Sequence, residues 1–138
     1  MGIPYLACMA FVARMEHLPP RVLPAIHAVE GGIPGQPHRN TDGSEDLGIM
    51  QVNSRWLPAI ARATRQPAPL VRLRLLNQPC FDIAVAGAIL RVYLRETHGD
   101  LLQAVGYYHS HTPALYLTYQ HRVLAAATRL FVRGGRAG

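Results

Sequence analysis

Lysine is missing altogether from the 138 residues, which excludes a loop that cradles a phosphate with backbone amides and a Lys ahead of a helix. Acidic residues are scarce as well: eight stand against fourteen basic ones, and every basic one is Arg. A catalytic carboxylate therefore has few rivals. No uninterrupted apolar run approaches the ~20 residues that span a bilayer, so no membrane span is expected. Cysteine occurs only at Cys8 and Cys80, in no metal-ligand spacing. The pair reads equally as two unrelated thiols or as one disulfide, worth roughly 3–5 kcal/mol across so long a loop in an oxidising compartment. Charged residues reach only 16% against 49% apolar, which excludes a disordered chain. Repeats and compositional breaks are absent, so one domain over residues 1–133 is expected, with residues 134–138 as a flexible tail.

What is present begins with charge. A net +6 and a pI near 10 draw the chain to anionic polymers: nucleic acid, anionic lipid or the acidic peptide stems of a bacterial wall. The arginines are scattered, which argues against a dedicated nucleic-acid stripe. Residues 6–12 are apolar but short, with no basic residue before them, and do not read as a targeting signal. The expectation is a mature form starting at an added Met, or export by a route not visible here.

The chain is organised around Ala28-Val29-Glu30-Gly31-Gly32. Val22, Leu23, Ala25, Ile26 and Val29 fall at helical spacing, placing Glu30 in the last turn of a helix over about residues 20–30. Two glycines suit the helix end, because glycine adopts left-handed geometry without a Cβ clash. A carboxylate at that end opposes the helix dipole, and shelter from water would raise its pKa towards neutrality. That is the condition of a general acid.

Around this segment the helical signal dominates, and an all-α, mainly helical domain is expected. Residues 5–17 read as a first helix, broken by Pro19 and Pro20. Residues 31–46 read as a long irregular loop with a turn at Asp42-Gly43. Residues 46–54 are too mixed to assign, but they bury apolar groups while presenting Gln51 and Asn53, as a pocket wall does. Asn53 or Ser54 is expected to cap a helix through Trp56 and Ile60. Residues 70–75 alternate like a strand, yet they lie between prolines without a partner strand and are assigned to a short helix. Residues 81–97, apolar on nearly every side, form the expected central helix. Asp100 caps the next helix, residues 106–110 read as a polar-aromatic break, and Pro113 opens a last amphipathic helix through Leu115, Tyr119, Val123, Ala126 and Leu130.

Other chemistry finds little support. His109-x-His111 and His27-x-x-Glu30 do not complete a tetrahedral ligand set, so no metal and no cofactor are expected. Ser54 and Ser110 lack a nucleophile-elbow context. Asp42, Glu45 and Asp46 are accounted for by turn formation.

Three segments in order are decisive: Glu30 at a helix end, Gly48-Ile49-Met50-Gln51-Val52-Asn53 about twenty residues on, and Gly106-Tyr107-Tyr108-His109-Ser110 before the last helix. Their order and spacing, across about residues 5–130, resemble the lysozyme-like lytic transglycosylases. The segment from Asn40 to Ser54, together with Tyr108-His109-Ser110-x-Thr112-Pro113, resembles the small subgroup accompanying secretion systems, conjugation and type IV pili. The resemblance implies a lysozyme-like fold with the irregular loop after the catalytic helix, and cleavage of the bond between N-acetylmuramic acid and N-acetylglucosamine in peptidoglycan. It implies Glu30 as the acid, Tyr108 orienting it, and Gly48, Met50, Gln51, Asn53, Tyr107, His109 and Ser110 along the sugar groove. It also implies a Cys8–Cys80 disulfide, a periplasmic setting, and partners among secretion, conjugation or pilus components. The family's usual Ser after the Glu is Gly31 here, and its Tyr-Asn pair is Tyr108-His109. The alternatives are a lysozyme-type hydrolase using Asp46 or Glu45 as second carboxylate, a non-catalytic wall-binding module, and, last, a nucleic-acid binder.

Overall fold

Seven helices and a small antiparallel sheet account for most of the described residues, 2–133, of the computed structural model. The expected tail, 134–138, lies outside the described residues. The architecture is mainly helical, as the resemblance implies.

Helix α1 (Leu6–Met15) is shorter than the expected 5–17. It stops because His17 turns left-handed at φ 54°, while its amide and that of Leu18 close back on Arg14 and Ala13. Helix α2 (Val22–Glu30) carries Pro24 in its first turn, where an amide would have had no partner, and buries Leu23, Ala25 and Ile26 completely. Gly31 ends it in left-handed geometry, φ 62°, with its amide on the His27 carbonyl.

The segment expected to be an irregular loop contains two short strands, β1 (His38–Arg39) and β2 (Glu45–Leu47), and β3 (Val52–Asn53) follows. They pair antiparallel in the order β1-β2-β3, with Asp46 opposite both His38 and Asn53. This also assigns residues 46–54, which the sequence left open: a β2–β3 hairpin closed by Gly48-Ile49-Met50-Gln51. Asn53 then accepts the Arg55 amide and starts a 3-10 turn (Ser54–Trp56) that leads into α3 (Leu57–Thr64).

Helix α4 (Ala68–Asn77) covers the stretch that alternates like a strand. Helix α5 (Pro79–Glu96) is the central element, touching α1, α2, α4, β3 and α6 (Leu101–His109). Asp100 caps α6 by accepting the Gln103 amide, as expected. The expected break at 106–110 is a correction: α6 runs through Gly106, Tyr107 and Tyr108 to His109. Gly106 is retained inside it because a Cβ there would press on Tyr116 and Gln120 of α7 (Pro113–Thr128). Helix α7 packs on both α2 and α6 and leads into a π-helical turn (Arg129–Arg133).

One apolar core joins these parts, with Met9, Leu23, Ile26, Leu47, Ile83 and Leu90 at its centre. A disulfide between Cys8 and Cys80 pins α1 to the first turn of α5. No single helix among the described residues is long and apolar enough to cross a membrane.

Candidate active site

Glu30 lines a cleft of about 260 Å³ together with residues of the sheet and of α6. Asp46, Gln51, Asn53, Tyr108 and His109 line the same cleft. Its position follows from local chemistry. Helix α2 stops at Gly31, and the Gly32 amide then donates to the Ile49 carbonyl, fastening the helix end to the hairpin turn.

That turn is built from the inside. Gly48 sits at φ 74°, and a Cβ there would collide with the Leu75 carbonyl and the Asp82 carboxyl. Gln51 is itself left-handed at φ 55°, and both its backbone amide and its side-chain amide donate to the Gly48 carbonyl. The Met50 amide donates to Asp82 Oδ2 at 2.7 Å, and the Met50 carbonyl accepts the Tyr108 hydroxyl at 2.7 Å. Gly48 and Met50 therefore shape the site from behind, through backbone rather than side chain.

The hydrogen bond to Glu30 comes from a residue not expected there. Tyr119, on α7, donates its hydroxyl to Glu30 Oε2 at 2.6 Å, whereas Tyr108, the expected partner, is committed to Met50. Tyr119 is only 2% exposed, and the ring of His109 stacks on it with centroids 4.8 Å apart. Burial is the main influence on Glu30, pushing its carboxyl up to about 7, and the negative charge of Asp46 adds to it. The Tyr119 hydrogen bond and the Arg122 charge pull the other way without cancelling it. Burial, and then Arg122, lower the His109 pKa, so its imidazole is neutral at pH 7. The Tyr119→Phe variant loses a bond that favours the charged carboxylate, so the Glu30 pKa is expected to rise above 7. Carboxyl-carbon NMR titration checks this; an unmoved titration would mean that the bond does not control Glu30.

Of the remaining expected residues, Tyr107 and Ser110 do not reach the cleft. Tyr107 stacks on His111 at 3.9 Å and accepts from Gln103, and Ser110 accepts the Thr112 amide in the α6–α7 connection. Glu45 is held by Arg72 through two bonds of 2.9 Å and is not part of the cleft lining. Asp46 is, with Oδ1 accepting from Asn53 at 3.0 Å. Asn40 and Ser44 extend the polar wall, joined to each other and to Asn53 through the Ser44 hydroxyl. Among the described residues no group of three metal-ligating side chains comes together.

Two influential residues carried a signal in the sequence. Tyr119 is a phenol on the apolar face of an amphipathic helix, and a buried phenol needs a hydrogen-bond partner. Asp82 is an acid near the start of the helix expected to be buried all round. It is 0% exposed, one oxygen has no partner, and burial pushes its pKa up to about 8. Between its ordinary value of 3.8 and about 8 the folded chain binds a proton that the unfolded chain releases. The stability this contributes is full below about pH 4 and is lost as pH rises through about 8. At about 1.4 kcal/mol per unit, Asp82→Asn is expected to be more stable than the parent by at least ~2 kcal/mol near pH 8, with the gap closing toward pH 4. Urea denaturation at both pH values measures it, and parallel curves would mean that Asp82 does not titrate in the fold.

Residues 7–115 match the family described as the Transglycosylase SLT domain. Over 106 residues the chain is 30% identical to the invasion protein IagB of Salmonella typhimurium, and equally to IagB of Salmonella typhi. That stretch covers 76% of this chain and 62% of each relative, so the chain spans less than two thirds of their length.

Proposed function

The chain belongs to the transglycosylase SLT-domain family, a family of peptidoglycan lytic transglycosylases, and from that premise we propose that it cleaves the N-acetylmuramic acid β-1,4 N-acetylglucosamine bond with formation of a 1,6-anhydro ring. Residues 1–133 form the transglycosylase domain. The observation that carries this is the Glu30 carboxyl, pushed up to about 7, hydrogen-bonded to Tyr119 and set in a cleft lined by amides and hydroxyls suited to sugars.

Protonated Glu30 gives its proton to the glycosidic oxygen as the C1–O bond breaks, and the substrate's acetamido oxygen supports the cation at C1. The Glu30 carboxylate then takes the proton of the C6 hydroxyl as O6 closes on C1. Water does not enter, and the acid is restored. Tyr119 orients the carboxyl, a role first expected of Tyr108, while Gln51, Asn53 and His109 contact the sugar. With Gly31 in place of the family's Ser, the phenol supplies a hydroxyl to the carboxylate.

Mass analysis of digested sacculi tests the reaction: anhydro products are one water lighter than hydrolytic ones, and reducing ends alone would overturn it. A second reading, hydrolysis with Asp46 as partner, is favoured by its place in the same cleft. The Asp46→Asn variant separates the two. If Asp46 acts only through its charge, activity survives and the alkaline limb of the pH–rate profile moves to lower pH, because a negative charge that raised the Glu30 pKa is gone. If Asp46 is nucleophile or base, turnover collapses.

The Cys8–Cys80 bridge supports a periplasmic setting, where disulfides persist. The resemblance of residues 40–54 and 108–113 to the secretion-linked subgroup supports local opening of the wall for a secretion, conjugation or pilus apparatus, and the relative's description as an invasion protein accords with it.

A further inference from the structure

Where the end of α2 meets α7, beside the Glu30–Tyr119 pair, lies a second cavity of about 600 Å³. Its walls come from Ala28 and Val29, directly before Glu30 on α2, from Arg122, Ala125, Ala126 and Thr128 on α7, and from Arg129 at the start of the π-helical turn that continues it. Arg122 and Arg129 are two helical turns apart, so they stand on one face with a rise of about 10 Å between them. Both are exposed, and among the described residues neither forms a salt bridge. Between them the floor is made of alanine methyls, Val29 and Thr128, whose hydroxyl is turned to the Leu124 carbonyl. The groove is thus cationic at two points and apolar in between, and Arg122 is near enough to Glu30 for its charge to be felt there.

We propose that this groove binds the peptide stem of peptidoglycan, an acidic peptide whose carboxylates pair with Arg122 and Arg129 while its alanine methyls lie on the apolar floor. The proposal rests on peptidoglycan being the substrate. Three features favour this occupant. Two guanidinium groups without a salt-bridge partner among the described residues match a ligand with carboxylates spaced along an extended chain. A floor of methyl groups, whose one hydroxyl on Thr128 already donates to the Leu124 carbonyl, matches the short methyl side chains between them. Arg122 on its wall is also near enough to Glu30 and His109 of the cleft for its charge to be felt at both, so a stem hanging from a muramic acid held there meets a cation close by. A duplex nucleic acid would need a continuous basic stripe, which two arginines do not supply.

Arg129→Glu is the informative variant, since changing Arg122 would also disturb Glu30. Turnover is measured on peptide-bearing strands and on the same strands stripped of peptide by an amidase. The expected result is about a tenfold loss in kcat/KM on peptide-bearing strands, equivalent to roughly 1.4 kcal/mol, with stripped strands unchanged. Equal losses on both substrates, or none on either, would overturn the proposal. A readout free of catalysis is titration of the Glu30→Gln protein with amidase-released tetrapeptide, followed by amide NMR. Shifts at Ala125, Ala126 and Arg129 that vanish in the Glu30→Gln, Arg129→Glu double variant support the site. Silence at millimolar peptide, or shifts caused only by a duplex oligonucleotide, overturns it. If the parent cleaves neither substrate, the catalytic reading fails, while the titration still decides the groove.

Discussion

Glu30→Gln is expected to lower turnover of sacculi by roughly 10³-fold or more, the scale of losing a positioned general acid, and to leave the fold intact. The amide has the shape of the protonated carboxyl and offers Tyr119 the same acceptor, so the α2–α7 contact survives. It cannot donate a proton to a leaving oxygen or take one from a hydroxyl. Stability should move in the opposite direction. The Glu30 pKa is raised in the folded chain, so its contribution is full below about 4.5 and is lost as pH rises through about 7. The variant should therefore melt at a higher temperature than the parent above neutrality, and the difference should shrink in acid. Activity assays with soluble-fragment release, run beside thermal melts, read both effects. A variant that still cleaves sacculi at the parent rate would move the acid to another residue.

Loss of the Cys8–Cys80 bridge is the largest stability effect to expect. The bridge links residues 72 apart in sequence, and freeing the unfolded chain from a loop of that size costs about 4 kcal/mol of stability in the chain-entropy account. For a domain of this length that corresponds to a drop of about 10 °C or more in Tm. The Cys8→Ser, Cys80→Ser double variant, compared with the parent under oxidising conditions, measures it by denaturant titration. Parent protein treated with reductant should approach the variant. Coincident curves for parent and variant would mean that the bridge contributes nothing to the folded state.

Much of this fold was legible because helices declare themselves locally. Pro113 and Asp100 mark helix starts, the apolar run of α5 marks a buried centre, and Glu30-Gly31 marks an end. The sheet was not legible, since strands of two or three residues are too short for alternation to register. The side chains of Asn40, Ser44 and Asn53, bonded across the hairpins, hold it instead. Residues 106–109 misled in another way: glycine and aromatics suggest a break, but the close approach of Tyr116 selects glycine within a continuing helix. The site divided along the same line. Glu30, Gln51, Asn53 and His109 could be named from short segments, whereas the partner of Glu30 is 89 residues away and only packing brings it there.

That separation has a consequence for when the chain can act. The bond from Tyr119 to Glu30 joins the second helix to the last, so the carboxyl is enclosed only after nearly the whole domain has been made and packed. A chain still emerging presents Glu30 on an open helix end, where water restores an ordinary carboxylate acidity. Under the function proposed above, an unfinished chain would therefore hold no raised-pKa acid with which to cut the wall. On that reading the completion of folding would itself arm the acid.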